Sequence, residues 1–69
     1  MITLDLHGVS HSDAENLVLN FILVNDLPLK IITGRSQEMR DIVSSICLMH
    51  DVSWDYENSY NFGALIIKA

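Results

Sequence analysis

Twice along this chain a short apolar run ends in a glycine and is followed at once by a helical stripe, and that repeated order limits the fold more than any other feature. In the first unit Ile2, Leu4 and Leu6 alternate with Thr3, Asp5 and His7, the period-2 pattern of a half-buried strand. Gly8 closes the strand. Ser10 with Asp13, or Ser12 with Glu15, has the spacing of a helix-starting capping box. Ala14, Leu17, Val18, Phe21 and Ile22 then recur at helical intervals to about Asn25, and Pro28 marks the end. In the second unit Leu29 to Thr33 reads as a strand closed by Gly34. Ser36 suits the N-cap, and Met39, Ile42, Val43, Ile46 and Cys47 repeat the stripe. A strand, helix, strand crossover within one sheet is right-handed and joins parallel strands, so both helices are expected on the same side.

Beyond the second helix, "VSWDYE" alternates Val52, Trp54 and Tyr56 against Ser53, Asp55 and Glu57, "NSYN" supplies turn residues, and "FGALIIK" reads as a last strand. These two strands are expected to be antiparallel. The expected fold class is therefore α/β (α+β): a two-layer sandwich in the order β-α-β-α-β-β, with a four-stranded mixed sheet and two helices on one face, forming a single domain over 1–69. One sheet face is left open. Either Leu65 and Ile67, or Phe62, Ala64 and Ile66, are available there to cover a partner or a second copy of the chain.

A 69-residue domain buries only about 60% of the surface of its unfolded chain, and a single core of this size supplies about 3–5 kcal/mol. The apolar fraction of 49% is sufficient for a packed interior. Cys47 is the only cysteine, so no internal disulfide supports the fold, which favours a reducing, cytoplasmic setting. The longest apolar runs, such as Phe21 to Val24, are far too short to span a bilayer, and a soluble protein without membrane contact is expected.

The formal charge of −5 argues against sequence-blind binding along a phosphate backbone, which depends on counterion release by Lys and Arg. Placement matters as much as the total. Of the four cations, Lys30, Arg35 and Arg40 fall within "KIITGRSQEMR" and only Lys68 lies elsewhere.

In parallel α/β units ligands meet the protein at the carboxyl ends of the strands. Both "DLHG" and "TGRS" belong there. Read from the residues alone, Asp5 and His7 fit either a solvated strand face bonded to the next turn or an ionisable pair with chemical work. Arg35 and Arg40 fit either a solvated helix start or a phosphate site, with Ser36 as N-cap in both cases. His11 and His50 offer no close ligand spacing, so neither metal nor cofactor is expected. Cys47, Met39 and Met49 suit packing. Trp54, Tyr56, Tyr60 and Phe62 suit core packing and hairpin pairing, with base stacking as the other use of such side chains.

"LDLHG", "IITGRS" and "GALII" together resemble the small MutS-related (Smr) domain, and the likeness spans nearly the whole chain. The family's Leu-Asp-x-His motif falls on Leu4, Asp5 and His7, its Thr-Gly-x-Gly turn on Thr33, Gly34 and Arg35, and its last-strand glycine on Gly63. Ser36 stands where the pattern has a second glycine. The resemblance implies a nucleic-acid endonuclease that nicks DNA or cleaves RNA, including messenger RNA on ribosomes. RNA or DNA, and the ribosome, are then the implied partners.

On that reading Asp5 and His7 are catalytic, while Thr33, Gly34, Arg35, Ser36 and Lys30 bind phosphate. With RNA, the neighbouring 2′-hydroxyl serves as nucleophile and the chemistry requires no metal. Two alternatives stay open: a nucleic-acid or ribosome binder that does not cut, and a protein-interaction module, for example a competitor of larger Smr proteins.

Overall fold

The computed structural model describes residues 1–69, in the order β1 (Thr3–Asp5), α1 (His11–Val24), β2 (Leu29–Ile32), α2 (Gln37–Met49), β3 (Ser53–Tyr56) and β4 (Ala64–Lys68). The strands form one mixed sheet ordered β1-β2-β4-β3. β1 runs parallel to β2, with Leu4 opposite Ile31, and β4 is antiparallel to both β2 and β3. The expected two-layer α+β architecture is the one found.

Each helix begins where a serine caps it. Ser10 accepts a hydrogen bond from the Asp13 N–H at 3.3 Å, and Ser36 accepts one from the Met39 N–H at 3.1 Å, satisfying donors that the first helical turn leaves without a backbone partner. At the far end of α1 the Asn25 amide donates to the Phe21 carbonyl at 3.0 Å. No helix is long and apolar enough to cross a membrane.

Alternation along the strands decides which residues form the core. Leu29 and Ile31 of β2 and Leu65 and Ile67 of β4 face the helices and are fully buried against Ala14, Val18, Met39, Val43 and Ile46. Burial among these side chains pushes the Cys47 thiol above its ordinary range. Leu65 and Ile67 therefore lie inside the sandwich, and of the two sets considered for the open face only Phe62, Ala64 and Ile66 remain. Ala64 is itself buried. The α1 stripe is narrower than its spacing suggests, because Leu17 is substantially exposed while Ala14, Val18 and Ile22 carry the packing.

The regular strands are shorter than the alternating runs that predict them. β1 ends at Asp5, although the Leu6 N–H still donates to the Ile32 carbonyl at 2.9 Å. That bond keeps the chain against β2 for one more residue and aims His7 outward from the end of the sheet.

Candidate functional site

Asp5 and His7 stand at the carboxyl end of β1 and are held together twice. One carboxylate oxygen, Oδ1, accepts the backbone N–H of His7 at 2.9 Å and lies 3.1 Å from the ring nitrogen Nδ1. The backbone N–H of His7 holds the Asp5 carboxyl below its usual value of 3.8; desolvation opposes it, and the imidazole adds a smaller lowering. Asp5 is thus a fixed anion at neutral pH. With Nδ1 placed to donate to it, Nε2 is left as the open nitrogen of the ring.

That nitrogen faces the second strand-end turn. Nε2 lies 3.8 Å from where a β-carbon would sit on Gly34, whose φ of +66° is the left-handed conformation that favours glycine. The turn is fastened to the start of β4, since the N–H groups of Thr33 and Gly34 both donate to the Gly63 carbonyl, at 2.8 and 3.1 Å. The buried Thr33 hydroxyl donates to the Gly34 carbonyl at 3.0 Å.

Three of the four cations meet at this turn. Helical side chains lean toward the helix N-terminus, and Arg40, one turn into α2, accordingly folds back so that Nη1 lies 3.4 Å from the carbonyls of both Gly34 and Phe62. Its Nη2 donates to the Gln37 side chain at 3.0 Å, while the buried Nε has no partner. Lys30 reaches across the open face to an ion pair with Glu57. Arg35 is exposed.

These groups line a cleft of about 760 Å³ that His7, Lys30, Gly34, Arg35 and Arg40 share with Tyr60, Phe62 and Gly63. No Asp or Glu is among its lining residues. A chain with net charge −5 has therefore placed most of its positive charge in one cleft. Low-dielectric walls strengthen the attraction of such a cleft for an anion.

The sequence-derived residues divide by position. His7, Lys30, Gly34 and Arg35 line the cleft, with Asp5 directly behind His7. Thr33 and Ser36 do not line it: the first uses its hydroxyl within the turn, and the second caps α2. Ser36 has φ −78°, a value any residue adopts, so serine in place of the motif's second glycine introduces no backbone strain. Gln37 and Glu38, the first residues of α2, also lie outside the lining.

Arg40, which the sequence leaves between a solvated helix start and a phosphate site, lines the cleft, and so do Tyr60 and Phe62 of the loop between β3 and β4, for which base stacking is only the second use. The lean of helical side chains toward the N-terminus is the signal that places Arg40 there. No local pattern brings the loop across. His50 caps the C-terminal end of α2, at the other end of that helix from the cleft. Comparison of the chain with protein-family models, with curated proteins and with solved structures finds no match.

Proposed function

We propose that this chain is a minimal Smr-like domain whose cleft binds a phosphodiester of a nucleic acid and, when the strand is RNA, cuts it. The observation that carries the reading is the convergence of His7, Arg35 and Arg40 on a cleft with no carboxylate in its lining, where Lys30 is paired with Glu57. Arginine matches phosphate geometry with paired donors. Here two arginines line the same cleft as one imidazole.

In the proposed reaction His7 Nε2 takes the proton of the 2′-hydroxyl, and the 2′-oxygen bonds to phosphorus as the bond from phosphorus to the 5′-oxygen breaks. The products are a cyclic phosphate and a free 5′-hydroxyl, the departing oxygen taking its proton from His7 or from water. Asp5 fixes the ring by holding Nδ1, and stabilises the imidazolium as it forms. Arg35 and Arg40 hold the charge that develops on the phosphoryl oxygens. A role on ribosomes in the cytoplasm belongs to the same proposal.

A second reading, binding without cutting, is favoured by one feature of the cleft: His7 is its only histidine and no carboxylate lines it, so a single imidazole faces both proton transfers. Labelled RNA and DNA incubated with wild type and His7→Ala, with and without a divalent-ion chelator, separate the two. Cleavage of RNA that survives the chelator and disappears with His7 supports the nuclease. Salt-sensitive, Arg35-dependent binding without product supports the binder, and absence of both points to a protein-interaction module.

A further inference from the structure

The cleft is also lined by two aromatic residues that lie outside the core cluster. Tyr60 is 94% exposed and Phe62 is 53% exposed. Large apolar rings grouped beside a cleft call for a reason, and the construction of this loop shows that its backbone is held in place. The Asn58 side chain accepts the N–H groups of Tyr60 and Asn61 at 2.9 and 2.8 Å, and the Asn61 side chain accepts the Gly63 N–H at 3.0 Å. The Phe62 ring meets Tyr56 edge to face at 4.7 Å, and its carbonyl lies 3.4 Å from the Arg40 guanidinium. The loop is thus tied to an arginine that lines the same cleft.

We propose that Tyr60 and Phe62 form a stacking platform for an unpaired nucleobase, so that the cleft selects single-stranded over double-stranded nucleic acid. This rests on the phosphate-binding reading above. Each nucleotide offers a charged phosphate joined to a flat apolar base, and the cleft offers cations beside aromatic rings. In a duplex the bases are stacked on one another and their faces are closed to a side chain. In a single strand they are open, and stacking on an aromatic ring tolerates any sequence. With Lys30 paired to Glu57, Arg35 and Arg40 limit the footprint to about two phosphates, with the rest of the acidic surface repelling a longer contact. For single strands the predicted slope of log K against log salt is then roughly −1.4.

The test is titration of a fluorescent single-stranded RNA, its duplex, and the same strand carrying abasic positions, against wild type, Tyr60→Ala, Tyr60→Phe and Arg35→Ala. Tyr60 touches so little of the protein that its replacement leaves folding intact, which circular dichroism checks. The intact strand is expected to bind more tightly than its duplex. Tyr60→Ala is expected to weaken binding of the intact strand between about fivefold and a hundredfold, Tyr60→Phe to retain it, and the abasic strand to bind both equally. If Arg35→Ala weakens binding while Tyr60→Ala and the abasic strand change nothing, the platform is wrong and the phosphate site stands. Failure of every strand to bind overturns both.

Discussion

Two exposed histidines near the first turn each hold a carboxylate, yet the fold treats them differently. His7 lies 3.1 Å from Asp5, and His11, at the start of α1, lies 2.9 Å from Glu38 at the start of α2. By distance the two pairs are nearly equivalent. They differ in what surrounds them. Asp5 also accepts the His7 backbone N–H, so the carboxylate fixes the chain as well as the ring, and His7 opens onto the cationic cleft. The second pair joins the starts of two helices outside that cleft. An ion pair of histidine and carboxylate therefore marks a candidate site only when the ring's other nitrogen has somewhere to act.

The strongest way to break this comparison is to delete each imidazole. If RNA is the substrate, His7→Ala is expected to lower the cleavage rate by about 10²–10⁴-fold, the usual contribution of a positioned acid–base group. His11→Ala is expected to leave the rate within about twofold, since surface pairs contribute little. Equal loss in the two variants, measured as single-turnover rates, would remove the distinction.

Two glycine turns near His7, one next to it in the chain and one against its ring, sharpen it further. Gly8 and Gly34 share the left-handed conformation, with φ of +73° and +66°, so alanine at either is expected to destabilise the fold by about 1–2 kcal/mol. Their surroundings differ, because nothing lies within 4 Å of a β-carbon at Gly8 while one at Gly34 would rest 3.8 Å from His7 Nε2. Chemical denaturation should give similar losses for Gly8→Ala and Gly34→Ala. Only Gly34→Ala should also impair nucleic-acid binding, by several-fold, through the methyl group it sets against the open ring nitrogen.

The repeated unit was readable in advance because each of its signals is local. Alternation, a closing glycine, a capping serine and a 3.6-residue stripe all act within a few residues, and they located both helices and the first two strands. Asp5 and His7 shared a face for the same reason. The joining of Tyr60 and Phe62 to the cleft was not readable, because their loop reaches the Gly34 turn through the β2–β4 pairing, a contact between segments about thirty residues apart. The roles of Thr33 and Ser36 were also hidden. Their hydroxyls have local backbone partners, and spacing alone does not reveal whether a hydroxyl turns toward a ligand or back onto its own chain.

The smallest effect separates the two carboxylates by pH. Glu38 belongs to a pair whose carboxylate side chain is 77% exposed, so Glu38→Gln is expected to change stability by less than about 1 kcal/mol, and added salt should erase the difference. Asp5 has a lowered value because the His7 N–H bonds its charged form. A carboxyl with a depressed folded-state value contributes stability above its ordinary 3.8 and loses it as pH falls through the lowered value. Wild type should therefore keep the Asp5 contribution from neutrality down to the ordinary carboxylate range and lose it only in stronger acid. Asp5→Asn, which keeps an oxygen able to accept the His7 N–H, should remove that part of the acid dependence and leave the fold intact. An NMR titration of the Asp5 carboxyl reads the cause directly: a midpoint below 3.8 is expected, and a midpoint at or above it would mean that the clamp on His7 is not formed in solution.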